Sequence, residues 1–162
     1  MTVEFQPIQP HQIPAAKRVI LSVARIVLNW QTPLEEILTQ FDERGELRDV
    51  DDIQTHYLDR QGFFLVAIDQ GQVIGTGAIR HLDGDTAELK RLWLLETYHG
   101  QGIGYRLVQI LLDFVQAYGH KHVRLLTDRR QDRAWRFYQQ VGFRLIDCPS
   151  DDPNDVCLEM SI

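Results

Sequence analysis

The residues of this chain with the clearest chemical meaning are three glycines. In "YHGQGIGYRL", residues 98–107, Gly100, Gly102 and Gly104 stand on alternate positions directly before a strongly apolar segment. Glycine is about 1 kcal/mol per residue worse than alanine inside a helix, so three at a helix start need a reason. Where a strand gives way to a helix, backbone N–H groups are unpaired and the positive end of the helix dipole is exposed. An anion can be held there, and glycine lets a phosphate reach the main chain without a Cβ in the way. A plain strand–helix turn fits the same pattern. Two nucleotide signatures are not met. A dinucleotide fingerprint would put a third spaced glycine where Leu107 stands, and a phosphate loop would end in Gly-Lys-Ser/Thr.

The elements on either side must aim this loop. "TVEFQPIQP" reads as a short strand that Pro7 and Pro10 confine to an edge. Residues 15–29 carry Ala16, Ile20, Ala24 and Val27 at helical spacing. A second helix begins with Thr32 as N-cap, Pro33 at N1 and Glu35 as capping-box acid, with Leu34, Ile37, Leu38 and Phe41 on one face. "DERGELRDVDD" is an acidic connection, and a short helix over 51–60 ends at Gly62. From Phe63 the runs "FFLVAI", "VIGTGAI" and "AELKRLWLL", joined by "DQGQ" and "LDGD", predict an antiparallel meander. After the glycines, Leu107, Ile110, Leu111, Phe114, Val115 and Tyr118 form one helical face, with Gly119 as C-cap. "HVRLLT" follows this crossover and so pairs in parallel with its predecessor. A helix over 131–141 stops at Gly142, and "FRLI" and "VCLEMSI" close the chain as a hairpin. The order predicts one mixed α/β domain over residues 1–162, with a mostly antiparallel central sheet and helices on both faces.

Two of these segments together carry a family resemblance. "ELKRLWLLETYHGQGIGYRLVQILLDFVQAYG", followed by "RLLTDRRQDRAWRFYQQVGF", resembles the GNAT N-acetyltransferase superfamily. "HGQGIG" and "YQQVGF" stand at the separation of that family's two motifs, and the meander precedes them in the family's order. The resemblance covers residues 63–146 well and 1–62 only in element order. It implies acetyl-CoA as cosubstrate, a fourth and fifth strand that splay apart, and transfer of the acetyl group to an amine by direct attack in a ternary complex. By the same resemblance, main-chain groups of Leu92, Trp93 and Leu94 take the pantetheine arm as an added strand. The backbone N–H groups of His99, Gly100, Gln101, Gly102, Ile103, Gly104 and Tyr105 hold the pyrophosphate. His99 replaces the family's usual arginine or glutamine, and Gln131 stands where many members have a cofactor-touching asparagine.

Two side chains are candidates for moving protons. A phenol with pKa near 10 stays protonated at neutral pH, so Tyr138 can donate to the departing thiolate. By pattern alone it shares an apolar helix face with Ala134, Phe137 and Val141 and is a packed core residue. An alkylamine with pKa near 10.4 must lose a proton before it can attack. The resemblance offers Glu88 as its base, whereas spacing alone pairs Glu88 with Lys90 on one strand face. Trp30, Tyr57 and the acids Asp42, Glu43, Glu46, Asp49, Asp51 and Asp52 fall where the family builds its acceptor pocket, and they read equally as a solvated acidic loop.

Bulk properties narrow the rest. The chain has 162 residues, 44% hydrophobic and 25% charged, with a net charge of −6. That charge speaks against nucleic-acid binding, which needs clustered Lys and Arg. No segment reads as a signal peptide or a membrane span. Cys148 and Cys157 show no metal-ligand spacing and read as unpaired thiols of a reducing cytoplasm; no metal site is expected from the histidines either. The expected partners are therefore acetyl-CoA and a small-molecule, peptide or protein amine, and the C-terminal hairpin leaves a homodimer open. A non-catalytic acyl-CoA sensor is the rival reading; a nucleotide-binding module is disfavoured by the missing lysine and third glycine.

Overall fold

The computed structural model describes residues 2–162. Strands β1 (Val3–Pro7), β2 (Phe63–Asp69), β3 (Gln72–Asp83), β4 (Thr86–Leu94), β5 (His122–Asp128), β6 (Arg144–Ile146) and β7 (Asp155–Ser161) build one sheet in the order β1-β2-β3-β4-β5-β7-β6. All neighbours run antiparallel except β4 and β5, whose connection passes through a helix, as parallel pairing needs. The helices are α1 (Ile13–Val27), α2 (Leu34–Arg44), α3 (Arg48–Asp51), α4 (Ile53–His56), α5 (Ile103–Tyr118) and α6 (Asp132–Val141). The expected edge strand, meander, crossover helix and closing hairpin are all present.

Successive strand side chains point to opposite faces, and the apolar residues follow that alternation. Phe64, Val66 and Ala78 bury against Ile20 and Leu21 of α1 and Ile37 of α2 on one face. Leu65, Ile79, Ala87 and Leu89 bury against Leu107, Leu111 and Val115 of α5 on the other. The meander and α5 thus form the rigid platform under the glycine loop.

Three local expectations are corrected. The capping box at Thr32 does not form. Pro33 is itself the N-cap of α2, extended at ψ 146° and with no side-chain cap bond; the Thr32 carbonyl instead accepts from Arg25 Nε at 2.6 Å. The helix expected over 51–60 is broken into α3, α4 and a 3₁₀ turn at Leu58–Arg60, because the Asp52 side chain caps a fresh start by accepting from Thr55 N–H. Cys148 and Cys157 are joined in a disulfide, their Cα atoms 5.2 Å apart. The β6–β7 register sets Ile146 opposite Cys157, so the chain leaving β6 turns back over its own partner strand. With no free thiol among the described residues, the cysteines no longer argue for a reducing compartment.

One irregularity in the sheet shapes the site. The β3–β4 register shifts between Thr76 and Ala78, and Arg91 absorbs the extra residue with a φ of 56°, a left-handed value uncommon outside glycine. The bulge is tied down from two sides. Thr76 Oγ1 donates to the Arg91 carbonyl at 2.7 Å. The Arg91 guanidinium donates to both carboxylate oxygens of Asp49, at 2.7 and 3.0 Å, and to the Glu46 carbonyl at 3.1 Å. Tyr57, fully buried, donates its hydroxyl to the same carboxylate. Tyr57 and Asp49, expected near an acceptor pocket, are therefore core groups that fasten α3 to β4.

Burial opposes the charge on Asp49, but the hydrogen bonds and charge of Arg91 and the Tyr57 hydroxyl outweigh it and lower its pKa to about 2. A depressed carboxylate stabilises the fold above its unfolded pKa and loses that contribution as pH falls toward the folded value. The stability difference between wild type and Asp49→Asn should accordingly shrink by about 2 kcal/mol from about pH 4 to about pH 2. Urea unfolding of both proteins across that window is the measurement, and a constant difference would show that Asp49 is not held charged by Arg91.

Candidate functional site

β4 ends at Leu94, a 3₁₀ turn spans Glu96–Tyr98, and the glycine loop leads into α5. Gly100 and Gly102 take φ of 79° and 81°, and no atom lies within 4 Å of where a Cβ on either would stand. The positive φ explains why these two positions are glycine, and the open space beside them is the space an incoming ligand needs. Gly104, already helical, would place its Cβ 3.7 Å from Phe137, an ordinary contact. The N–H groups of Gly100, Gln101, Gly102, Ile103, Gly104 and Tyr105 have no backbone acceptor among the described residues. His99 differs: its N–H donates to the Glu96 carbonyl at 3.0 Å, closing the 3₁₀ turn, so this expected pyrophosphate donor is already engaged. Its ring contributes otherwise, with Nε2 donating to the Leu94 carbonyl at 2.9 Å and latching the loop to the end of β4.

The second half of the site is a gap in the sheet. β4 and β5 pair only over Thr86–Glu88 and His122–Arg124. Beyond Glu88, β4 keeps its bonds to β3, with Trp93 opposite Thr76 and Leu94 opposite Gly75, but its other edge has no strand partner. β5 meanwhile continues against β7 to Asp128. The two strands therefore splay, and the open edge of β4 along Leu92, Trp93 and Leu94 runs straight to the glycine loop. An unpaired strand edge is a template for a further extended chain.

The proton-moving candidates lie on opposite faces of the sheet. Tyr138 on α6 is 7% exposed and belongs to the core cluster that includes α5, with its ring against Phe137 and Phe143. Burial alone pushes its pKa up, with no charged or hydrogen-bonding neighbour contributing. Glu88 sits at the parting of β4 and β5, on the face away from α5. Its carboxylate has Arg80 Nη2 at 3.4 Å and Lys90 Nζ at 3.6 Å. The Lys90 pairing expected from spacing is present, and Arg80 shares it. Gln131 is the N-cap of α6, just past the end of β5, and its carbonyl accepts from Ala134 and Trp135.

Three of the six acids expected near the acceptor are held in ion pairs. Lys17 Nζ bridges Asp42 at 2.6 Å and Asp51 at 2.8 Å, and Asp49 holds Arg91. Sequence reasoning missed the cations Arg80 and Arg124 that flank Glu88. The available signal was the alternate-position charge in "IRH", "ELKR" and "HVRLL". No group of three or more metal-ligating side chains is present among the described residues. His120 is buried, its Nε2 3.1 Å from Nδ1 of His81. A recess of about 240 Å³ borders the glycine loop between Phe5, Gly102 and Arg106. A larger one, about 480 Å³, lies at the outer sheet edge around Glu4, Gln12 and Asp69 and touches no candidate residue.

A splayed parallel pair ending in a glycine-bearing helix start has counterparts among known proteins. Residues 28–143 match the model of the acetyltransferase (GNAT) family. This chain belongs to that family. It is 36% identical over 101 residues to N-acetyltransferase family 8 member 2 of Rattus norvegicus, covering 59% of this chain and 45% of that protein. It is 33% identical over 98 residues to the human N-acetylaspartate synthetase, covering 59% of this chain and 32% of that protein. The chain spans less than half the length of either relative. In fold, a GNAT acetyltransferase from Staphylococcus aureus Mu50 superposes with a TM-score of 0.83 at 21% identity, over 99% of each chain. The PaiA N-acetyltransferase of Thermoplasma acidophilum, solved in complex with coenzyme A, superposes at 0.81 with 20% identity over both whole chains. The GNAT fold implied by the two sequence motifs is the fold found.

Free N–H groups, a helix dipole and empty space beside two glycines fit a diphosphate group. Gly102→Val should put a branched side chain into that space and strain a left-handed position. Affinity for coenzyme A should fall at least about 100-fold while far-UV circular dichroism stays near wild type and the melting temperature drops by only several degrees, the cost of the strained φ, since the apolar face of α5 is untouched. Isothermal titration checks this, and unchanged binding would reduce the loop to a turn.

Proposed function

We propose that this GNAT family member is an N-acetyltransferase that moves the acetyl group of acetyl-CoA directly to an amine held in the same complex. The observation that carries the reading is the run of unpaired N–H groups from Gly100 to Tyr105 at the end of a strand that has parted from its neighbour. Acetyl-CoA supplies the acetyl group as an activated thioester. The open edge at Leu92, Trp93 and Leu94 binds its extended arm by main-chain hydrogen bonds. The loop N–H groups hold the diphosphate, with Gln131 bordering the mouth at the end of β5.

Each candidate side chain has one task. Glu88 takes the proton that the acceptor ammonium must lose, directly or through a water, because an alkylammonium has no lone pair with which to attack. As the new C–N bond forms and the C–S bond breaks, Tyr138 gives its phenolic proton to the sulfur. The nitrogen sheds its second proton as the amide forms, and that proton restores the phenol while the one on Glu88 passes to solvent. The faces divide the work: the amine arrives from the side of Glu88, and the thiol leaves on the side of Tyr138. The raised pKa of Tyr138 keeps that proton in place through neutral and mildly alkaline pH, so its ionisation contributes no falling limb to the rate between about pH 6 and 9.

Stabilisation against heat by acetyl-CoA, and not by ATP or NAD, tests the cofactor. Tyr138→Phe tests the chemistry. It keeps the ring against Phe137 and Phe143 and should lower turnover about 10²- to 10⁴-fold, with acetyl-CoA affinity and melting temperature nearly unchanged. A purely structural tyrosine would give the opposite pair, lower stability with wild-type turnover. A wild type that binds acetyl-CoA but acetylates no amine would make the chain an acyl-CoA sensor.

A further inference from the structure

We infer that the acceptor is an amino-carboxylate, a small molecule bearing both an amine and a carboxylate, and that Arg80 and Arg124, on either side of Glu88, hold its carboxylate. This rests on the acetyltransferase reading above and names its substrate class.

The inference begins with register. Arg80 on β3 stands opposite Glu88 on β4, Glu88 beside Arg124 on β5, Arg124 opposite Glu159 on β7, and Glu159 opposite Arg144 on β6. Residues in register on neighbouring strands project from one face. It is not the α5 face, because their sequence neighbours Ile79, Ala87, Leu89, Val123, Leu125 and Leu158 fill that one. A ladder of alternating charge therefore crosses the sheet at the level where β4 and β5 part. On β3 it lies under the helical side, where the Arg80 guanidinium stacks on the Tyr57 ring at 5.6 Å. From β5 onward the face is open: Leu126, the next residue on it, is 60% exposed.

The ladder does not balance. Around the parting point Arg80, Lys90 and Arg124 face only Glu88 and Glu159, through contacts of 3.4, 3.6 and 3.1 Å, and Arg144 adds another cation at the far end. Of the acids above this face, Asp49 is paired with Arg91, and Asp42 and Asp51 with Lys17. Each guanidinium offers five N–H donors. Nε of Arg80 and of Arg124 are both buried without an acceptor among the described residues. Burial, and then the charge of Arg80, hold the Lys90 pKa below the usual lysine range, as expected where positive charge is in excess. Strands two apart in a sheet are roughly 10 Å from each other, so Arg80 and Arg124 flank Glu88 across a partly exposed stretch of the face. A carboxylate bound there gains charge-assisted hydrogen bonds from guanidinium, and an amine a few bonds away is left beside Glu88. A second cation on the acceptor would meet repulsion instead.

The test is acetyl-CoA-dependent thiol release with free L-amino acids and dipeptides, each beside its own C-terminal amide. The free acids should be used with kcat/KM at least about tenfold above the amides. Arg124→Gln should raise KM for the acids about tenfold or more, leave KM for the amides within about twofold, and leave acetyl-CoA affinity unchanged by calorimetry. Arg80→Gln, which also touches Glu88, should lower the acid-to-amide ratio of kcat/KM by a similar factor. Arg124→Lys should recover part of the preference, since it keeps the charge but not the fork. Arg124 is on the open half of the face, so its variants keep the fold even if Arg80→Gln does not. Amides used as well as the acids overturn the inference. So does an acid-to-amide ratio unmoved by Arg124→Gln, or no free acid consumed while acetyl-CoA still binds. Failure of acetyl-CoA to bind at all would overturn the acetyltransferase reading and this inference with it.

Discussion

Everything at the site depends on where β4 and β5 stop bonding to each other. Their parallel ladder lasts only from Thr86 to Glu88 on one strand and His122 to Arg124 on the other. A buried strand edge without partners is costly, because each unpaired N–H and C=O forfeits a hydrogen bond. The fold meets that cost by leaving the parted edge at Leu92–Leu94 partly exposed and by holding each strand on its far side, β4 by β3 and β5 by β7. The gap is therefore a consequence of sheet topology. It cannot close without breaking pairings that run the length of both strands.

The bulge at Arg91 adds direction to that gap. With φ at 56°, the strand is bent between Glu88 and the Leu92–Leu94 stretch, and a non-glycine residue keeps such a conformation only when its surroundings enforce it. The enforcement comes from Asp49, forty-two positions away in sequence, which receives Arg91 in a bidentate pair and Tyr57 in a third bond. A buried pair of this kind adds modest net stability compared with apolar packing, while losing one partner is expensive. Its use here is geometric: it fixes α3 and the bent half of β4 as one body.

The site was partly legible in the sequence because some of its constraints are local. Two glycines with positive φ before an apolar helical stripe require only neighbouring residues, and both the loop and α5 fell where the spacing put them. Other features depend on register between distant strands. Nothing near Tyr57 distinguishes a pocket aromatic from one buried against Phe64 and Asp49. The Cys148–Cys157 bond follows from β6 turning back along β7, which two cysteines in a weakly patterned tail do not announce. The Thr32 cap failed for a local reason that propensity overlooks: Pro33 took the extended cap position itself, moving the helix one residue on. Arg80, Glu88 and Arg124 carry unremarkable charges in three separate strands, and only pairing shows them to be neighbours.

A sheet whose two faces differ so sharply can separate the two proton transfers of an acyl transfer. On the α5 side the interior is apolar and closed, and the phenol of Tyr138 keeps its proton because burial disfavours the phenolate. On the other side lie carboxylates and guanidinium groups partly open to water, the environment that the proposed deprotonation of a substrate ammonium requires. Exchanging the two environments would defeat both steps: a base in the closed core would be neutralised by desolvation, and an exposed phenol would lose its isolation from competing water. In the proposed reaction the carbonyl lies at the gap between β4 and β5, where the two faces of the sheet meet. For that proposed reaction this is a physical reason for proton acceptor and proton donor to be carried by different strands and helices, and for the acceptor to be recognised on the charged face.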